Sequence, residues 1–277
     1  MIVKFYGVRG SYPTPGKSFS RYGGNTPCVL IRDGGKIIIF DGGTGIIEVG
    51  KELVKENVSE IYIFISHSHY DHILGLPFFK PFFYEDRRKI KIFGPKFLEK
   101  SYDEVLERFL SSPFIPFSLK ELKGRDSIEI ITLEENENIY IFKNSIVKSI
   151  HSKNHPLQGV HLFSYLSGSK KITYMTDIKV DDKIVKEVVA FAKDSDVLIF
   201  DSFFLKREYA GKGENKRFGH SSFEDALKIK KLSSSKSLYF FHYNPDYDDK
   251  VLDTVKRKFE KNGAFLSYEG LEVNLND

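Results

Sequence analysis

The sequence predicts an α/β (α+β) fold in which two sheets pack face to face and helices cover their outer faces. Three observations carry that expectation. β-patterned stretches occur in both halves of the 277-residue chain, helical patterns follow each group, and metal-ligand residue types stand where loops leave apolar strands. With 41% hydrophobic residues the chain can bury one large core, and a single domain over residues 1–277 is expected.

The first elements read as strands Ile2 to Gly7, Cys28 to Arg32 and Lys36 to Phe40, the last two joined as a hairpin by Asp33-Gly34-Gly35. From Gly45 a helical pattern runs to about Lys55, and the strand Ile61 to Ile65 follows. Beyond the aromatic stretch PFFKPFFY, the strand KIKIFG precedes a helix from about Pro95 to Leu110. Phe97, Leu98, Tyr102, Val105, Leu106 and Phe109 recur there at helical spacing. SIEIITL, IYIF and SIVKSI alternate as strands, and HLFSYLSG with KKITYMTD forms a hairpin around Gly168 to Lys171. Asp182 to Lys193 reads as helix, DVLIFD as a buried strand, and Ser222 to Leu232 as an amphipathic helix with a serine N-cap. The strand SLYFFH, a helix from about Asp248 to Lys261 and a strand pair near AFLSY and LEVNL complete the chain.

Lys plus Arg exceed Asp plus Glu by 42 to 38, too small an excess for the footprint of a nucleic-acid binder. A single cysteine, Cys28, excludes an internal disulfide, a Cys-rich zinc finger or a CxxC redox pair. The opening MIVKFYGVRGSYPTPG lacks a signal-like apolar region, and no stretch reaches the roughly 18 apolar residues of a membrane span. A soluble cytoplasmic protein with no membrane partner is expected.

The most telling run is SHSHYDHILG, residues 66 to 75, directly after IYIFI. His67 and His69 alternate along extended backbone and can present both rings to one side, and Asp71 and His72 follow where the chain bends into a helix. Imidazole and carboxylate are ligands of zinc and its neighbours. Asp41 after IIIF, His155 in KNHP, Asp177 after ITYM and His242 after LYFF each sit at the end of a strand or in a loop beside one. Taken singly, each is more often a turn former or a hydrogen-bonded structural residue. Together with the histidine run they supply enough ligands for two metal ions. Cations roughly 3.5 to 4 Å apart can generate hydroxide at neutral pH and neutralise charge on a phosphoryl or carbonyl oxygen.

In this order the motifs resemble those of the metallo-β-lactamase superfamily, and the resemblance covers nearly the whole chain. It implies a four-layer αββα sandwich and two divalent ions, zinc foremost, with manganese or iron as alternatives. It also implies that His67, His69 and His155 hold one ion, that Asp71, His72 and His242 hold the second, and that Asp177 bridges them. Asp41 then orients the histidine loop from behind.

GHSS at residues 219 to 222 is similar to the motif of the phosphodiesterase branch, which includes ribonuclease Z. That similarity implies for His220 a role in protonating the leaving group or stabilising the pentavalent transition state, and in the same hydrolytic reading Asp71 orients the nucleophile or accepts its proton. His155 and Asp177 are only 22 positions apart, too few for the ribonuclease Z exosite arm. YGVRGSYPTPG, YGGNTPCVLI and FFHYNPDYDD instead resemble bacterial hydrolases related to cyclic-nucleotide and phosphorylcholine phosphodiesterases.

The expectation is therefore a dinuclear phosphodiesterase that uses metal-activated hydroxide on a small-molecule phosphodiester, with nucleic acid admitted only as a short substrate. Thioester, ester or lactone hydrolysis by the same fold is the first alternative, and a non-catalytic metal-binding module is the second. Lys206 to Arg217 is a candidate phosphate-attracting loop or a solvated one. Phe78, Phe79, Phe82, Phe83, Tyr84, Phe114 and Phe117 are candidate pocket walls or core. Oligomeric state is left open, a dimer included.

Overall fold

In a computed structural model the described residues are 1–84, 88–142, 144–209, 219–261 and 263–275. The chain forms two compact units. One comprises Met1–Gly7, Asn25–Glu134 and Glu269–Asp277, and the other Val8–Gly24 and Glu135–Tyr268.

The first unit is built on strands β1 (Ile2–Gly7), β2 (Cys28–Asp33), β3 (Lys36–Phe40), β4 (Glu60–Phe64), β5 (Lys89–Pro95), β6 (Ile128–Leu133) and β14 (Glu272–Asn274). They form one sheet in the order β14-β1-β2-β3-β4-β5-β6. From β14 to β3 neighbours run antiparallel, and from β3 to β6 they run parallel. Strands of a parallel half are apolar without alternation because both faces are covered. Ile37, Ile38, Ile39 and Phe40, and Ile61, Ile63, Phe64 and Ile65, are accordingly buried. Helices α1 (Ile46–Leu53) and α3 (Tyr102–Phe109) add Ile46, Val49, Leu53, Tyr102 and Leu106 to this core.

The second unit repeats the scheme with β7 (Asn136–Phe142), β8 (Ser145–Ser152), β9 (Val160–Ser167), β10 (Lys170–Met175), β11 (Val197–Asp201), β12 (Ser237–Phe241) and β13 (Ala264–Leu266). Their order is β13-β12-β11-β10-β9-β8-β7, antiparallel from β7 to β10 and parallel from β10 to β13. Helices α4 (Val185–Ala192), α6 (Phe223–Ser233) and α7 (Asp249–Phe259) bury Val188, Ala226, Ile229, Leu252 and Val255. Short helices α2 (Tyr70–Ile73) and α5 (Lys206–Tyr209) lie in the first and second unit respectively.

Two expectations are corrected. The helix anticipated from Pro95 begins only at Tyr102, because Pro95 ends β5 and Ser101 supplies a capping box with Glu104. AFLSY and LEVNL do not pair with each other: β13 joins β12, whereas β14 joins β1. The chain turns between them at Gly270, whose φ of 86° is open to glycine and whose N–H donates to the Phe5 carbonyl at 2.8 Å. PFFKPFFY divides between roles. Phe79 and Phe82 enter the core of the first unit, while Phe78, Phe83 and Tyr84 remain exposed. Among the described residues no helix is long and apolar enough to cross a membrane.

Candidate metal centre

Parallel strands end on one edge of a sheet, and the residues just beyond them form a rim where ligands collect. In the first unit Phe40 is in register with Phe64, so Asp41 and the segment Ile65 to His67 leave β3 and β4 side by side. The Asp41 N–H donates to the Phe64 carbonyl at 2.9 Å. In the second unit Asp201 is in register with Phe241, and Met175 with Phe200. Asp177, Asp201 and His242 therefore gather on that edge. Asp41, Asp177 and His242 all adopt left-handed φ values, 63°, 51° and 61°. Such backbone costs about 1–3 kcal/mol for a residue with a Cβ and clusters at functional sites.

The carboxylate of Asp41 organises the histidine run. It accepts the Ser66 N–H at 2.7 Å, the Ser66 hydroxyl at 3.0 Å and the His72 Nδ1–H at 2.7 Å. With its hydrogen given to Asp41, the Ser66 oxygen accepts the His67 Nδ1–H at 3.1 Å. Both rings are thereby held in the tautomer that keeps a lone pair on Nε2, the tautomer a metal requires. His67 Nε2 lies 2.9 Å from His69 Nδ1, and His72 Nε2 lies 3.2 Å from Asp71 Oδ2. His67 and His72 are fully buried, and Asp71 nearly so.

In the second unit Asp177 is central. One carboxylate oxygen stands 3.2 Å from His242 Nε2, and the other stands 3.9 Å from His155 Nε2 and 3.8 Å from His220 Nδ1. His155 donates Nδ1–H to the Gly219 carbonyl at 3.5 Å, again leaving Nε2 its lone pair. Gly219 has φ 74°, and a Cβ there would lie 2.7 Å from His155 Nδ1, which accounts for glycine before His220. Gly10 underlies His242 in the same way: a Cβ would lie 2.4 Å from its Cε1.

Asp201, absent from the residues expected from sequence, anchors His220. Its carboxylate accepts His220 Nδ1–H at 2.9 Å and the backbone N–H groups of Ile178 and Phe203 at 3.1 Å. Burial pushes the Asp201 carboxyl up, and the adjacent His220 imidazole pulls it back. The ring of His220 stacks on Phe203, centroids 4.3 Å apart and planes 11° from parallel. VLIFD carries the same local pattern as IIIFD, an aspartate closing an apolar strand, but that pattern alone does not mark an aspartate that meets a histidine 19 residues on.

These donor sets fit a divalent metal. They are neutral imidazoles and carboxylates, largely buried, with their tautomers set from behind and their ligating atoms directed at one another. In the first unit His67, His69, Asp71 and His72 could hold metal, and in the second His155, Asp177 and His242 could. Of the expected phosphate-attracting loop, Lys206 and Arg207 fall in α5, while Lys212, Lys216 and Arg217 lie outside the described residues.

Comparison with known proteins agrees. Residues 36–243 match the family model described as Beta-lactamase superfamily domain. Ribonuclease Z of Nanoarchaeum equitans is 26% identical over 294 residues, covering 94% of this chain and 89% of that protein. The crystal structure of the short form of human tRNase Z matches over 100% of both chains with a TM-score of 0.70 at 21% identity. A diphosphatase of the PhnP family matches over 99% of this chain and 98% of its own with a TM-score of 0.69 at 19% identity. These likenesses show the expected fold class.

The expectation of a small-molecule partner, with nucleic acid only as a short substrate, is overturned by the ribonuclease Z relatives, whose named substrate is RNA. The expectation rested on the short gap between His155 and Asp177 and on the resemblance of YGVRGSYPTPG, YGGNTPCVLI and FFHYNPDYDD to hydrolases of small phosphodiesters. That gap limits an accessory surface and does not set the size of the substrate. The chain belongs to the β-lactamase superfamily and is a metal-dependent hydrolase of its phosphodiesterase-like branch.

Proposed function

We propose that the chain is a zinc-dependent ribonuclease that hydrolyses a phosphodiester of a structured RNA, a tRNA precursor foremost. The observation that carries this reading is His220, hydrogen-bonded to buried Asp201 and 3.8 Å from Asp177. A thiolate leaves a thioester without needing so carefully held an acid, whereas a ribose alkoxide does. The likeness to ribonuclease Z over 94% of the chain supports the same reading. An RNA substrate and a single buried cysteine, Cys28, favour a cytoplasmic setting.

His67, His69, Asp71 and His72 of the first unit and His155, Asp177 and His242 of the second would hold the divalent ions. When bound, the ions supply Lewis acidity at phosphoryl oxygen and acidify water. Asp71 accepts the proton of the attacking water. Asp201 holds His220 through Nδ1, so that Nε2 delivers its proton to the departing ribose oxygen, and the carboxylate stabilises the imidazolium beforehand.

The test is a substrate panel run on the metal-loaded protein: a 3′-extended tRNA precursor, bis(p-nitrophenyl) phosphate, a lactone and lactoylglutathione, with metal analysis alongside. Cleavage of the precursor, abolished in His67→Ala and Asp177→Ala, is expected. Preferential turnover of the thioester or lactone would overturn the proposal.

A further inference from the structure

Tyr70 occupies the position between His69 and Asp71, and its side chain is 70% exposed. That is an unusual place for an aromatic ring. His69 is the N-cap of α2 and Tyr70 its first residue, so the backbone that presents the ligands also presents the ring. Consecutive Cα atoms stand about 3.8 Å apart, which places the Tyr70 backbone one residue from a proposed ligand on either side. The ring rests against Phe109 of α3 at 6.1 Å between centroids and 53° between planes, and this support leaves a broad apolar surface toward solvent. Among the described residues no hydrogen bond engages its hydroxyl, so the group is not retained for a polar contact within the fold.

An exposed aromatic ring backed by Phe109, on a residue flanked by two candidate ligands, suits one occupant above others. A nucleobase offers a π-face of matching size, is attached to the scissile phosphate through one ribose, and stacks without regard to its identity. The His69 carboxyl-terminal neighbour needs no bulk for folding at so exposed a position, and a small residue there would leave the ligand spacing intact.

We propose that Tyr70 is the stacking platform for the base adjacent to the cleaved phosphodiester, so that the enzyme grips its RNA next to the bond without reading sequence. This inference rests on the RNA-phosphodiesterase reading. Stacking of this kind contributes about 1–3 kcal/mol per base, or roughly 5- to 150-fold in binding.

The experiment measures kcat and KM of the metal-loaded wild type, Tyr70→Ala, Tyr70→Phe and Tyr70→Trp on an RNA substrate and on two matched substrates. Each matched substrate is abasic on one side of the scissile bond. On intact RNA, Tyr70→Ala should raise KM at least fivefold, with the loss confined to KM. Tyr70→Phe and Tyr70→Trp should restore it. On one of the abasic substrates the difference between wild type and Tyr70→Ala should vanish. An unchanged KM in Tyr70→Ala, an equal loss in Tyr70→Phe, or an undiminished difference on both abasic substrates overturns the platform. A wild type that does not cleave RNA, whether or not it cleaves bis(p-nitrophenyl) phosphate, overturns instead the reading on which the platform rests.

Discussion

His220 donates its Nδ1–H to a carboxylate oxygen of Asp201 across 2.9 Å, and Asp201 is fully buried with two further backbone amides on it. A carboxylate so fixed cannot turn toward solvent, so it sets both the orientation and the tautomer of the imidazole. The relation makes Asp201 a positioning residue for the proposed acid. Asp201→Asn should lower kcat by about 10- to 100-fold, and His220→Ala by about 10²- to 10⁴-fold, the range of general-acid contributions. Steady-state kinetics with metal analysis separates the roles: loss of a bound ion in His220→Ala would make it a ligand rather than the acid.

Removal of the metal should be felt in the fold as well as in turnover, because the buried ligands converge without a compensating positive charge of their own. Zinc at one hundred times its dissociation constant adds about 2.7 kcal/mol to the stability of a protein that binds it only when native. For a chain of this length that corresponds to roughly 5–10 °C in Tm. Calorimetry of the chelated and reconstituted protein checks this, and coincident transitions would deny a bound ion.

Gly10 touches the edge of His242 so closely that a methyl group would stand 2.4 Å from Cε1 and 2.9 Å from the Phe203 ring. Gly10→Ala should therefore displace a proposed ligand while leaving every ligand present. A fall in metal affinity of about 10- to 100-fold is expected, the usual consequence of disturbing what orients a ligand. Competition titration against a chromophoric chelator measures it, and an unaltered affinity would show that the ring yields without cost.

His161 gives the second unit an acid sensitivity separate from catalysis. Its ring accepts or donates a hydrogen bond at Ser149 Oγ across 2.8 Å and faces His151, its cross-strand partner, at 4.9 Å between centroids. Burial first, and His151 second, depress its pKa from the ordinary 6.5 to about 3. Between those values the unfolded chain holds a proton that the native chain does not. Its contribution is therefore complete above about pH 6.5 and is lost as pH falls, at about 1.4 kcal/mol per pH unit. Urea unfolding from pH 7 to pH 4 should show this slope, and His161→Asn should flatten it.

Ser222 caps α6 two residues beyond His220, accepting the Asp225 N–H at 3.1 Å while the Asp225 carboxylate accepts the Ser222 N–H at 3.1 Å. Ser222→Ala should cost about 1 kcal/mol, read as a shift in the denaturant midpoint. Ser222→Asp should recover most of it.

The candidate ligands stood out because parallel strands buried on both faces are written as unbroken apolar runs, and IYIFI, ITYM and LYFF each give way within two residues to His or Asp. The helix caps and hairpins were legible for a similar reason, since their causes lie within a few residues of their effects. Asp201 was not, although VLIFD reads like IIIFD, because nothing local distinguishes a turn-forming aspartate from one that meets a histidine 19 residues later. The parting of AFLSY and LEVNL into separate sheets was hidden likewise, each strand's partner being chosen by hydrogen bonds to β12 and β1 far away in the chain. By itself the sequence determined the residue types, their order at strand ends, and hence the family and its metal chemistry. The tertiary structure decided which carboxylate steers which imidazole and which ring is left facing solvent. Those matters depend on strand register and burial, which arise only when distant segments pack.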